Sequence, residues 1–331
     1  MAATGIIFTE QVAGSFTNFI KEHQISKAVL LADNNTRELC LPLLDDHGFS
    51  IISIPAGETY KNLQTLENVL EGLMQQRADR DTWLVNLGGG VVSDIGGFAA
   101  SIYKRGIRYV NIPTTLLAMV DAAIGGKTGI DFKFHKNYLG TFYNPEAVII
   151  SPEFLHTLPE QEIRSAWAEI IKTGVICSKE LVALIQEDAP LSRIIECTAT
   201  AKNKIVQQDK YDYNLRQLLN FGHTIGHAYE SFYLSINDPV SHGEAVAKGM
   251  LYETNLAERI GLLSTPDASA IRDLIASKLG TEPLTGDEFR QLLPFLAGDK
   301  KNTDERITFS LPVAVGEGKY GVKVQLSDLE P

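Results

Sequence analysis

The chain has 331 residues, 44% of them hydrophobic and 21% charged; this composition excludes intrinsic disorder and gives enough length for two domains. Asp and Glu number 41 against 30 Lys and Arg, so a net charge of −11 opposes nucleic acid and anionic membranes as partners, and any cations that hold an anionic ligand must be gathered locally. Cys40, Cys177 and Cys197 form no CxxC spacing, no apolar run approaches the roughly 20 residues of a membrane span, and the first five residues lack the basic and apolar regions of a signal peptide, so a soluble cytoplasmic protein is expected.

Along the first part, short strand-like runs alternate with helical patterns. Ala28 to Leu31 reads as a strand closed by Asp33-Asn34-Asn35, and Phe49 to Ile54 as another stopped by Pro55. Between Leu63 and Met74, the residues Leu63, Leu66, Val69, Leu70 and Leu73 share one helical face. Thr82 to Leu87 is a third strand and runs into Gly88-Gly89-Gly90; a helix from about Val92 to Tyr103 and a strand at Tyr109 to Ile112 follow. This alternation predicts parallel strands with crossover helices, a Rossmann-like nucleotide-binding α/β domain over residues 1–150. Beyond Ser151 helical patterns dominate: Pro159 to Val175, Leu181 to Gln186, Leu191 to Gln208, Phe221 to Tyr233, Glu244 to Ile260 and Ala268 to Leu279. Strand-like pieces return near Arg306 to Ser310 and Gly321 to Leu326, so residues 151–331 are expected to form a mostly helical metal- and substrate-binding domain. The expected fold class is therefore α/β plus α, with the active site in the cleft between the domains.

Glycines at a strand-to-helix junction let the backbone approach a diphosphate, and the helix start offers N–H groups to it. Gly88-Gly89-Gly90 lacks the usual GxGxxG spacing, and the plainer reading is a tight turn with Gly96-Gly97 allowing close helix packing. Asp33 and Asn35, the run Gly57 to Lys61, and Thr114-Thr115 also fall at the ends of successive strands, which favours one nucleotide crevice. His223 and His227 stand four apart on one helical face, His242 opens another helix, and Glu169 and Lys172 stand three apart in an apolar helix. Each alone reads more plainly as a satisfied core residue, but together they match a catalytic zinc site; the missing Glu in HTIGH excludes a zinc-protease reading. Arg105, Lys127, Lys136, Lys172, Lys202 and Arg216 are the cations a phosphate and a carboxylate would require, with Lys127 in a second glycine turn that Lys136-Asn137 closes.

The segments GGGVVSDIGGF, YKRGIRYVNIPTTLLAMVDAAIGGKTGID, KNYLGTFYNP, FLHTLPEQEIRSAWAEIIKTG, LRQLLNFGHTIGHAYE and HGEAVAKGM resemble, in order, the signature segments of 3-dehydroquinate synthases. That resemblance implies NAD, zinc (with cobalt as the alternative) and conversion of 3-deoxy-D-arabino-heptulosonate 7-phosphate to 3-dehydroquinate with release of phosphate, through oxidation, elimination, reduction, ring opening and an intramolecular aldol step. It implies metal ligation by Glu169, His223 and His242. It implies NAD contacts from Asp33, Asn35, Glu58, Lys61, Gly89, Gly90, Asp94, Thr114, Thr115, Asp121, Lys136, Phe154, Thr157 and Glu162. Substrate contacts fall to Arg105, Lys127, Asn137, Lys172, Lys202, Arg216, Asn220, His227 and one of Lys300 and Lys301. Of these, Lys172, Lys127, Asn137 and Arg216 are expected to position the reacting groups, and His227 and Asn220 to move protons and orient water. A homodimer in the cytoplasm is implied as well. The family's Asp-Glu pair appears here as Asp209-Lys210, which raises the question of what Lys210 does at the site.

Overall fold

The computed structural model describes residues 4–133, 135–296 and 306–329 and divides into two compact units, Met1–Glu162 and Ile163–Pro331. The first runs β1 (Gly5–Phe8), α1 (Val12–Glu22), β2 (Ala28–Asp33), α2 (Asn34–Leu39), β3 (Ser50–Ile54), α3 (Leu63–Gln75), β4 (Trp83–Gly88), α4 (Gly90–Ile102), β5 (Tyr109–Pro113), β6 (Lys127–Phe132), β7 (His135–Phe142) and β8 (Ala147–Ile150). Six strands form one sheet in the order β1-β8-β5-β4-β2-β3, and every pair is parallel. The inner strands are covered on both faces, which is why β2, β4 and β5 are almost wholly buried and mostly apolar, with Asn86 and Asn111 hydrogen-bonded to each other within the sheet. From β2 the chain moves outward to β3, and from β4 it moves the other way to β5. The carboxyl ends of β2 and β4 therefore flank a topological switch point, where doubly wound sheets bind ligands.

Close packing of α4 sets the depth of that end. A Cβ on Gly96 would lie 2.0 Å from Asn86 Oδ1 in β4, so no larger residue lets the helix approach so near. The sequence does not announce β1, α1, β8 or the antiparallel hairpin β6–β7, in which Lys127 pairs with Phe142 and Thr128 with Thr141. Leu63, expected on the buried face of α3, is 53% exposed, because it is the first residue after the Asn62 cap and the burial begins one turn later with Leu66, Val69 and Leu73.

The second unit follows within α5 (Glu160–Cys177) and continues with α6 (Lys179–Gln186), α7 (Leu191–Gln208), α8 (His223–Ser235), α9 (His242–Arg259), α10 (Thr265–Leu279), α11 (Gly286–Leu296) and the antiparallel pair β9 (Arg306–Ala314) and β10 (Glu317–Gln325). Two helix starts correct the sequence reading. Helix α8 begins at His223, not Phe221, because Gly222 is left-handed at φ 78°. Helix α9 begins at His242, not Glu244, because the Ser241 side chain accepts from the Glu244 N–H and caps it. Each of these histidines is thus the first residue of its helix. Among the described residues no helix is long and apolar enough to cross a membrane.

All three cysteines are free thiols. Burial pushes the Cys40 thiol up to about 11 and the Cys177 thiol to about 12, which suppresses the reactive thiolate at neutral pH. We therefore expect native protein at pH 7.5 to leave Cys40 and Cys177 unalkylated by iodoacetamide while urea-unfolded protein labels both; rapid native labelling, read by peptide mass spectrometry, would contradict this burial.

Candidate active site

Glu169 lies midway along α5, 1% exposed, and its Oε2 forms an ion pair with Lys172 one turn on. Its Oε1 faces His223 Nε2 at 3.3 Å and His242 Nε2 at 3.4 Å, without a well-directed hydrogen bond from either. The far nitrogens have partners of their own. His223 Nδ1 lies 3.1 Å from the Phe221 carbonyl, and His242 Nδ1 lies 3.5 Å from Glu230 Oε1. Acceptors at both Nδ1 atoms hold a proton there, so a metal would need Nε2 alone to give up its proton and turn its lone pair inward. A carboxylate oxygen and two imidazole nitrogens then converge, all within 4.8 Å of one another. In a tetrahedral site with bonds of about 2.0–2.1 Å, ligand atoms stand about 3.3–3.4 Å apart. The spacing around Glu169 Oε1 therefore fits a zinc-type dication.

The electrostatics agree. Burial alone would raise the Glu169 carboxyl, but the Lys172 ammonium, followed by His223, holds it well below the usual carboxylate range. Burial works against a proton on His242, yet hydrogen bonding to Glu169 and Glu230 lifts the imidazole to about 10. His227, the second histidine of the i, i+4 pair, stands with its ring centroid 5.2 Å from that of His223 and 6.5 Å from that of His242. His156 lies in a short turn of the other unit.

Three of the expected substrate cations, Lys172, Lys202 and Arg216, are buried in this helical unit. Arg216 is placed by Asp209, whose carboxylate accepts from the N–H groups of Tyr213, Asn214 and Arg216. Burial opposes that charge and the three N–H donors outweigh it, keeping Asp209 below its ordinary range. Lys210 contributes its carbonyl, which accepts from Arg216 Nη1 at 3.0 Å, and its ammonium lies over the Tyr211 ring. Asn220 ends the turn that precedes α8 and is half-buried. Lys300 and Lys301 lie outside the described residues.

All the expected cofactor residues belong to the first unit, together with Arg105, Lys127 and Asn137. Asp33 ends β2 and caps α2 in a capping box with Thr36, so one of its oxygens accepts from the Thr36 N–H. Asn35 follows within α2, and Glu58 opens a short turn after β3. Gly89 caps α4 without a side chain, and Gly90 is its first residue, so the helix start at the switch point offers backbone N–H groups to an anion. Thr114 is buried at the end of β5 beside half-buried Thr115, and Asp121 sits in the turn beyond. Phe154 is fully buried, and Thr157, whose hydroxyl donates to the Phe154 carbonyl, and Glu162 are exposed. Arg105, Lys127 and Lys136 are exposed, the first with φ 70°.

Lys61 closes the run Gly57 to Lys61 that follows β3. It is 4% exposed, with Nζ 2.5 Å from Asp94 Oδ2 in α4 and 2.5 Å from Asn137 Oδ1 in β7. Burial would strip its proton, and Asp94 more than restores it; Asp94, buried in turn, is pushed up to about 6. One ammonium therefore joins an expected cofactor residue to an expected substrate residue. Glu230 and Glu253 were not reachable from spacing alone: each reads as the polar side of an amphipathic helix, and only the packed structure turns them inward.

Fold and site together define a class in which a parallel α/β unit is joined to a helical unit bearing a carboxylate and two imidazoles. The fold is shared with glycerol dehydrogenase from Schizosaccharomyces pombe (TM-score 0.66, 14% identity, 99% of this chain and 87% of the other). Closer likenesses are 2-deoxy-scyllo-inosose synthase, solved with carbaglucose-6-phosphate, NAD+ and Co2+ (TM-score 0.87, 25% identity, 98% of this chain and 95% of the other), and 2-epi-5-epi-valiolone synthase from Streptomyces hygroscopicus, solved with NAD+ and Zn2+ (TM-score 0.84, 28% identity, 100% and 95%). Family models described as 3-dehydroquinate synthase N-terminal and C-terminal match residues 51–165 and 166–302. The 3-dehydroquinate synthases of Parabacteroides distasonis (36% identity, 98% of this chain and 95% of the relative) and Campylobacter concisus (40%, 84% and 81%) are among its relatives. The chain belongs to the 3-dehydroquinate synthase family.

The raised pKa of His242 sets a pH dependence for chelator-treated protein. An imidazole near 6.5 when unfolded and about 10 when folded contributes stability that is fully present below about 6.5 and lost as pH climbs to about 10. Melting temperature should fall across that window without metal, and the fall should shrink when Co2+ fills the site and displaces the proton; equal slopes in both states would contradict a shared site. Lys61→Met leaves Asp94 buried without its cation and should cost about 3 kcal/mol in urea unfolding; a loss under about 1 kcal/mol would show that the pair is not structural.

Proposed function

We propose that the chain converts 3-deoxy-D-arabino-heptulosonate 7-phosphate to 3-dehydroquinate with release of phosphate, as a carbon–oxygen lyase using NAD and a divalent metal held by Glu169, His223 and His242. The observation that carries this reading is the convergence of the two Nε2 atoms on Glu169 Oε1 at 3.3 and 3.4 Å. Family membership supplies the substrate. When bound, the metal would lower the pKa of a coordinated hydroxyl and NAD would accept and return a hydride.

The chain's own residues have separate tasks. Gly89, Gly90 and the uncapped start of α4 would take the dinucleotide's phosphates, with Asp33, Asn35, Glu58, Thr114, Thr115 and Asp121 along the strand ends. Lys61 would orient both Asp94 and Asn137. Lys172, Lys202 and Arg216, gathered in the helical unit of a protein of net charge −11, would hold the anionic groups of the substrate. Lys127, Arg105 and Asn137 would add contacts to the phosphate from the first unit, and a lysine of the 300–301 pair a further one. His227 would carry a proton beside the metal ligands, and Asn220 would orient water. Elimination would break a C–O bond as the leaving phosphate takes up the adjacent C–H proton, and because the hydride is returned to the substrate no net oxidant is consumed.

Three free thiols suit a reducing cytoplasm, and a homodimer is the assembly the family resemblance implies; sedimentation of purified protein decides the latter. Incubation with the heptulosonate phosphate, NAD+ and Zn2+ should yield equimolar phosphate and 3-dehydroquinate without accumulating NADH. A rising NADH absorbance would instead make this a polyol dehydrogenase. His242→Ala should lose both bound metal and turnover. Lys127→Ala should lower kcat/KM by roughly 10–100-fold with NAD affinity unchanged; an equal loss of NAD affinity would move Lys127 to the cofactor.

A further inference from the structure

Helices α8 and α9 run antiparallel at unusually close range. A Cβ on Gly249 would lie 1.9 Å from the Gly222 carbonyl oxygen, and one on Gly226 would lie 3.0 Å from that of Ala245. Each helix opens with an imidazole that faces Glu169, and each carries a carboxylate further along that touches the other helix's opening residues. Glu230, two turns into α8, faces Nδ1 of His242 at the start of α9. Glu253, three turns into α9, accepts from the Gly222 N–H at 2.6 Å and the Ile225 N–H at 3.2 Å at the start of α8. These N–H groups bracket His223.

The arrangement is costly for stability alone. Glu253 has no solvent exposure, and a buried carboxylate destabilises unless its partners repay the lost hydration. An ordinary N-cap would satisfy the same N–H groups with a local Ser or Asn. That solution is closed at residue 222, where φ is 78° and a Cβ would meet Met250 Cγ at 2.6 Å. The cap must come from the neighbouring helix, and in coming from there it fixes the register of one imidazole against the other.

We propose that Glu230 and Glu253 are a crossed pair of positioning residues, each borne by one ligand helix and holding the ligand of the other, and that together they set the metal affinity of the centre. Glu230 fixes which nitrogen of His242 carries the proton; Glu253 fixes the bend 221–225 from which His223 projects. The proposal rests on the metal-centre reading, and the test separates the two. Co2+ affinity is measured by chelator competition on full-length Glu230→Met, Glu230→Gln and Glu253→Gln proteins, alongside the Co2+ visible spectrum and the melting temperature of the chelated forms. Loss of an outer carboxylate behind a ligand weakens metal binding roughly 10–100-fold. We expect that loss for Glu230→Met and Glu253→Gln with an altered Co2+ spectrum, and substantial recovery in Glu230→Gln, whose amide oxygen still accepts from Nδ1–H. Wild-type protein that takes up no Co2+ overturns the metal centre and this proposal with it. Wild-type uptake with unchanged affinity in Glu230→Met, or with lowered melting temperatures but unmoved Co2+ midpoints, overturns the positioning roles alone. If Glu253→Gln does not fold, the partly exposed Glu230 carries the test through its two variants.

Discussion

A carboxylate buried in the middle of a helix, with two imidazoles aimed at one of its oxygens, is the constraint around which the helical unit is arranged. Hydration lost by Glu169 is offset on one side by the Lys172 ammonium. On the other side stand the two Nε2 atoms, whose rings are held through Nδ1 by Phe221 and Glu230. A protonated His242 supplies positive charge there, and a metal cation would take that proton's place. Several otherwise unrelated features follow from that one requirement. Both histidines are first residues of helices, where the backbone ahead of them is free to bend. Glycines at 222, 226 and 249 bring the two helices close enough for both imidazoles to reach the same oxygen.

The α/β unit contains a second buried charge with a different logic. Lys61 is held by Asp94 from α4 and in turn holds Asn137, whose N–H donates to Asp131 Oδ1 at 2.7 Å, while the Asp131 N–H donates to the Lys61 carbonyl at 2.8 Å. Strand β7 buries almost nothing. Its position is therefore determined by ladder hydrogen bonds and by this polar knot more than by apolar packing. An exposed strand fastened by ions is more easily shifted than one fastened by a core. The residues it carries, Lys136 and Asn137, are those expected to meet ligands.

How far the fold was legible follows from the same distinction. Where burial is two-sided or striped, as in β2, β4, α3 and α7, the apolar period reports the element and its bounds within a residue or two. Where polar ties hold the chain, it does not: β6 and β7 read as a glycine turn because their side chains show no period of two. At the site, the spacing of His223, His242, Glu169 and Lys172 was visible because residue type alone marks metal and charge chemistry. Glu230 and Glu253 carry the same chemistry but occupy helix positions where a glutamate is ordinarily solvated. Nothing in a single sequence separates the 0% exposure of Glu253 from the exposure of Glu244 nine residues earlier in the same helix's first turn.

Charge is where the whole molecule and the site pull in opposite directions. A net charge of −11 repels an anionic ligand from afar, but at physiological salt exposed charges are screened over about 8 Å. Lys61 and Lys172 are buried against Asp94 and Glu169, where salt screens little and each pair holds at short range. The departure at Lys210 leaves that balance intact. Its ammonium is turned onto Tyr211 and its carbonyl holds Arg216, so the backbone at 210 performs the positioning and the side chain adds no cation to the buried set.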